Sequence, residues 1–149
     1  MRDAPLRIRP ATDRDRAAVA DLAGELAHSF AFCRDAFDAG YAAALGTSDV
    51  CLLLAVAGDD HLGYLLGTRQ VAFYANGPVA HVQEILVRDE HRRRGVGRSL
   101  MEAFEQWAAE RGCALVALAT RRAAPFYLAL GYEESATYLR KVLREPEAS

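Results

Sequence analysis

Hydrophobic and polar positions alternate through "LRIRP" near the start of the chain, with Leu6 and Ile8 on one face, as in a half-buried strand that stops at Pro10. Thr12 followed by Asp15 resembles a capping box, and Val19, Leu22 and Leu26 then recur at helical spacing, so a helix is expected over about residues 13 to 27. "HSFAFCRD" is aromatic and aperiodic and reads as a loop before a second short helix near "DAFDAGYAAALG". The continuous apolar run "VCLLLAVA", bounded by Asp49 and Gly58, fits a strand buried on both faces. "HLGYLLGTRQVAFYA" and "AHVQEILV" follow as an antiparallel pair around Asn76-Gly77, a strong hairpin signal. Val96, Leu100, Phe104 and Trp107 then form one helical stripe ending at Gly112. "CALVALAT" is a further strand, Pro125 opens another helix that Gly131 closes, and "TYLRKVL" reads as a final strand.

The order β-α-α-β-β-β-α-β-α-β, with a strand-helix-strand unit between residues 81 and 120, requires one parallel pair in an otherwise antiparallel sheet. The expected class is therefore α+β: a single-domain mixed sheet, mostly antiparallel with one parallel pair, flanked by helices on both faces. At 149 residues and 52% hydrophobic content, one domain over residues 1–143 is expected, with residues 144–149 as a polar tail.

Charge narrows the function. The net charge of -2 argues against a polyanion binder, so the arginines of "RRRGVGR" are a local device. Cys33, Cys51 and Cys113 form no CxxC pair and read as reduced, buried thiols of a cytoplasmic protein. Neither a secretory leader nor the ~18-residue apolar run of a membrane helix is present, so no membrane partner is expected.

A strand ending at Val87, a basic loop, Gly95, Gly97 and a helix start together make an anion site. First-turn N–H groups lack intrahelical partners, the helix dipole adds positive charge, and glycines let a phosphate approach the backbone. No Lys-Ser/Thr follows the glycines, and the third glycine of a dinucleotide fingerprint is missing, which argues against nucleotide hydrolysis and hydride transfer. The competing reading of Arg92, Arg93, Arg94 and Arg98 is a solvated face beside two turn glycines.

Arg92 to Gly97 matches the Q/R-x-x-G-x-G/A pattern of the GNAT superfamily of N-acetyltransferases, and lies, as there, between the fourth strand and the third helix. Ala123, Phe126, Tyr127, Leu130 and Gly131 match a second signature of that superfamily, A-x-x-F-Y-x-x-L-G-F/Y. The chain thus resembles a GNAT enzyme. The resemblance implies acetyl-CoA as cosubstrate and no metal, with the pyrophosphate held by backbone N–H groups of residues 92 to 97, Val96 included, and by Arg98. It also places Ile85, Leu86, Val87, Thr120, Ala123 and Phe126 along the CoA arm, with Ile85 and Val87 N–H groups polarising the thioester carbonyl. Many members carry asparagine where this chain has Thr120. Tyr127 stands at the position of the acid that protonates the thiolate; packing beside Phe126 is its alternative role.

Acetyl transfer to an amine needs a free amine, and a primary alkylamine has a pKa near ~10, so a base must act at neutral pH. Glu84 is the first choice, as the only acid in "HVQEILV" and on the strand from which the resembling family often draws its base. Its alternative is a solvent-facing strand residue. His81 is the rival; regular alternation puts it on the opposite face from Glu84, and a bulge would reverse that. Phe30, Phe32 and Phe37 are expected to wall the acceptor site, with Tyr74 of the hairpin, and Asp35, Asp38 and Glu84 to favour a cationic amine. The acceptor is a small-molecule or peptide amine. A CoA-binding regulatory module without turnover is the other reading. Nucleic acid is not an expected partner, because the aromatics do not interleave with basic residues, and a homodimer is left open.

Overall fold

The computed structural model describes residues 4–26, 30–88 and 95–144, and its centre is a five-stranded sheet in the order β1-β2-β3-β4-β5. β1 (Leu6–Pro10), β2 (Val50–Ala57), β3 (Asp60–Gln70) and β4 (Val79–Val87) pair antiparallel in sequence, and β5 (Val116–Leu118) adds parallel to β4. α1 (Arg16–Leu26), preceded by a 3-10 turn over Asp13–Asp15, and α2 (Arg34–Leu45) cover one face. α3 (Val96–Glu110) and α4 (Ala124–Ala129) cover the other. This is the mixed α+β architecture that the pattern predicts.

Strand alternation divides the core into two layers. Leu52, Leu54, Val56, Tyr64 and Leu86 pack under α1 and α2 with Val19, Leu22 and Tyr41. Cys51, Leu53, Ala55, Leu65, Ala80 and Val82 pack under α3 with Val96, Leu100, Met101 and Phe104. β2 serves both layers, which is why its sequence is apolar throughout. α3 ends in a Schellman motif: Gly112, at φ 74°, donates to Ala109 and Cys113 donates to Ala108.

β4 departs from regularity where chemistry was expected. Leu66 faces Glu84 but Gly67 faces Val82, so Gln83 is an extra, bulged residue. Alternation reverses there. Ala80 and Val82 pack on the α3 side before the bulge, Ile85 and Val87 after it, and His81 and Glu84 consequently share the α1–α2 face. Regular alternation had set those two on opposite faces.

Two predicted strand segments are corrected. β3 ends at Gln70 instead of continuing to Ala75, and Val71, Phe73 and Tyr74 are exposed in an eight-residue connection. Pro78 has no N–H to extend the ladder, and its carbonyl accepts from Ala114. "TYLRKVL" forms no strand: residues 133–143 lack regular structure, Tyr138, Leu139 and Leu143 are exposed, and β5, three residues long, offers little ladder to extend. Cys51 is buried, whereas Cys33 and Cys113 are only partly so; all three are free thiols. No helix among the described residues is long and apolar enough to cross a membrane.

Candidate active site

A cavity of about 520 Å³ opens between the sheet and helices α1 and α2. Leu52, Tyr64, Leu66 and Glu84 supply its sheet side, and Val19, Ala23, Leu26, Phe37, Tyr41 and Ala44 are among its helical walls. Phe30, Phe32 and Cys33 line it from the connection and the cap of α2. The volume lies within the ~300–1,000 Å³ of small-molecule sites.

Glu84 is the cavity's carboxylate, and the Tyr64 hydroxyl donates to its Oε1 at 2.7 Å. Tyr64 is almost wholly buried; burial first, then the Glu84 charge, raise its pKa far above the usual phenol range. The hydroxyl therefore keeps its proton and fixes the carboxylate as an acceptor. His81 lies on the same face but does not line the cavity, and its buried Nδ1 has no hydrogen-bond partner among the described residues.

Pairing of β4 with β5 stops at Val82 and Leu118, leaving Gln83 to Val87 with no strand of the described residues beside them on that edge. The Arg88 N–H donates back to Leu62 of β3 at 3.0 Å. By alternation the Leu86 N–H points toward β3 as well, while those of Ile85 and Val87 point toward the gap. The Leu86 side chain packs in the α1–α2 layer.

Beyond the gap stands the N-terminus of α3. Gly95 caps it at φ 75°, with no atom of the described residues within 4 Å of where a Cβ would sit, and no acidic residue occupies the first turn. The Ser99 N–H makes the first intrahelical bond, to Gly95, so the N–H groups of Val96, Gly97 and Arg98 precede the ladder. Such a terminus suits an anion. A Cβ on Gly97 would lie 3.2 Å from the Phe126 ring, which shows how closely α4 approaches this turn. The exposed Arg98 pairs with Glu102 at 3.3 Å, a surface pair. Arg92, Arg93 and Arg94 lie outside the described residues.

Tyr127 is buried in the α3 layer between Phe126 and Tyr132, and burial raises its pKa. Its hydroxyl makes no hydrogen bond among the described residues. Thr120 accepts from the Ala123 N–H at 3.1 Å, tying the end of the β5 segment to the start of α4.

Three expected acceptor residues fall elsewhere. Asp38 is taken by Arg34 at 3.0 Å and Arg16 at 3.6 Å, Asp35 is exposed outside the cavity lining, and Tyr74 is exposed in the β3–β4 connection. Tyr64 and Arg144, which do line the cavity, were not anticipated. Tyr64 had a signal: one hydroxyl-bearing ring in the apolar middle of β3 between Leu62 and Gly67, two residues from the partner of Glu84. Arg144 had none.

A model of the acetyltransferase (GNAT) family matches residues 18–132. The chain belongs to the GNAT family. It is accordingly an acyltransferase of the acetyl-CoA-dependent N-acetyltransferase class. Among solved structures, the aminoglycoside N-acetyltransferase AAC(6')-Iy in complex with CoA superposes at a TM-score of 0.85 with 22% identity, covering 96% of this chain and 97% of that one. Glucosamine-6-phosphate N-acetyltransferase from Arabidopsis thaliana gives 0.83 at 17% identity, covering 94% and 99%. An integron cassette protein from the mobile metagenome of Cole Harbour Salt Marsh gives 0.84 at 25% identity, covering 93% and 91%. These similarities carry the GNAT fold. A search of curated proteins finds no match. No metal-binding cluster of His, Cys, Asp or Glu occurs among the described residues of this GNAT chain.

Proposed function

We propose that the protein transfers the acetyl group of acetyl-CoA to a primary amine of a small molecule or peptide by direct attack within a ternary complex. The observation that carries this reading is the Glu84 carboxylate, fixed by Tyr64 inside a cavity, on the strand that diverges from β5.

The residues present fit the donor. The α3 N-terminus, with Gly95 open above it, suits the diphosphate, and the gap beside β4 can admit an extended pantetheine arm. The Ile85 N–H points into that gap and is positioned to donate to the thioester carbonyl as charge develops on its oxygen. Glu84 accepts a proton from the ammonium, and the freed nitrogen attacks the carbonyl carbon. Collapse of the tetrahedral adduct breaks the C–S bond, and the nitrogen gives up its second proton to solvent, as Glu84 does the first, leaving the neutral amide. The thiolate takes a proton from Tyr127, whose raised pKa keeps it protonated at neutral pH, and Tyr127 is reprotonated from solvent. The products are an amide, CoA and one proton.

The test is the pH dependence of Glu84→Gln. Gln keeps the shape, so kcat/KM should fall most near neutral pH and recover as pH approaches the amine pKa of ~10, where free amine is plentiful. His81→Gln should show no such profile. If His81→Gln gives the pH-dependent loss and Glu84→Gln does not, the base is His81. Loss of CoA binding by the wild-type protein would defeat the reading outright.

A further inference from the structure

On the acetyl-transfer reading, we propose that the acceptor is a small monoamine with an apolar, ring-sized body, of the phenylalkylamine type, and not a polyamine, an aminoglycoside or an amino sugar. Apart from Glu84, the carbon walls decide this. Phe32, Phe37 and Tyr41 form a run of aromatic rings with centroids 5.7 and 5.5 Å apart, and Leu26, Leu52 and Leu66 add further apolar wall to a cavity that stays open to solvent on one side.

Charge in the cavity fits one ammonium. Glu84 is the one carboxylate among the described lining residues, and Tyr64 holds its Oε1. Asp38 is occupied by two arginines, and Asp35 lies off the lining. The one other charged residue among the described lining residues is Arg144, an exposed cation that repels a second ammonium. A polycation bound through one amine would leave its others against carbon or beside a guanidinium, with no compensating partner. An amino sugar meets the complementary difficulty. Each hydroxyl turned toward Phe37, Leu52 or Leu66 gives up its hydrogen bonds to water without replacement. A phenyl or branched alkyl body instead gains from leaving water.

The experiment uses the full chain with acetyl-CoA and follows CoA thiol release and product mass. The acceptors are 2-phenylethylamine, hexylamine, spermidine, neamine, glucosamine 6-phosphate and a lysine-bearing peptide. The apolar monoamines should lead in kcat/KM by roughly tenfold or more, equivalent to ~1.4 kcal/mol. A lead for spermidine, neamine, the amino sugar or the peptide overturns the proposal. Calorimetric binding of 2-phenylethylamine and spermidine to the CoA-loaded protein separates this from the parent reading. If nothing is acetylated, the catalytic reading fails, and the cavity assignment still stands or falls on whether phenylethylamine binds at least ~10-fold more tightly. Ala44→Asp adds a carboxylate to the helical wall. It should shift the kcat/KM ratio of 1,6-diaminohexane to hexylamine upward by roughly tenfold, and an unchanged ratio counts against the charge argument.

Discussion

Tyr127 has two possible uses, and one oxygen atom separates them. As a packing residue it needs only its ring, which Phe126 and Tyr132 contact edge-on at centroid distances of 4.9 and 6.0 Å. As an acid it needs the hydroxyl. Burial holds that hydroxyl in its protonated form, and no described residue accepts from it, which suits a proton donor waiting for a thiolate. Tyr127→Phe should therefore preserve the ring packing and the CoA-induced rise in Tm while lowering kcat by about 10²-fold, the lower end for general acid catalysis. An unchanged kcat would return Tyr127 to packing. At this scale Tyr64 is the lesson. The sequence placed it in a strand, but its hydroxyl acquires meaning only once Glu84 is seen across the sheet beside it, a contact that depends on the register of β3 against β4.

Among the elements, the turn into α3 is where the proposed donor site is tested. Gly95 sits at φ 75°, where a side chain is strained, and a Cβ on Gly97 would press against Phe126. CoA should raise Tm by mass action, and Gly95→Val or Gly97→Val should abolish most of that rise. A retained shift in both variants would remove the turn from the binding site. The helices and the inner strands were readable from the sequence because each carries a strong period or a long apolar run: Val96, Leu100 and Phe104 are all fully buried, as their stripe predicts. The strand ends were not readable. Val71, Phe73, Tyr138 and Leu139 have strand-like composition yet stand exposed, because a strand also needs a partner edge, and its availability is settled by the fold. The candidate acceptor cavity was half legible for a related reason. Phe30, Phe32 and Phe37 line the cavity, but Asp38 faces Arg16, and which charges meet across helices is tertiary information.

For the molecule as a whole, the join between β1 and α1 offers a handle on stability. Arg9 makes a two-point contact with Asp15 at 2.8 and 2.9 Å, and the Thr12 N–H donates to the same carboxylate at 2.8 Å. The Arg9 contact, ahead of the opposing effect of burial, holds the Asp15 carboxyl well below the ordinary range. Its stabilisation is thus complete above the unfolded value of ~3.9 and declines as pH falls below that toward the folded pKa. Asp15→Asn should cost roughly 2 kcal/mol near neutrality, and the Tm gap between the two proteins should narrow progressively below about pH 4. A gap independent of pH would show that the carboxylate charge is not what matters. The extra residue in β4 has a consequence at this same scale. Because alternation reverses at Gln83, the length of β4 is shared information: Ile85 and Val87 belong to the layer beneath α3, and Glu84 and Leu86 to the layer beneath α1 and α2. Were Gln83 paired in a regular ladder instead of bulged, those two sets would be exchanged, sending a carboxylate into the layer beneath α3 and isoleucine and valine into the layer beneath α1 and α2. In β4, deletions are therefore graded by position and not by size: removing Gln83 alone restores regular pairing with every other side chain on its present face, while removing a paired neighbour such as Ile85 reverses the residues beyond it.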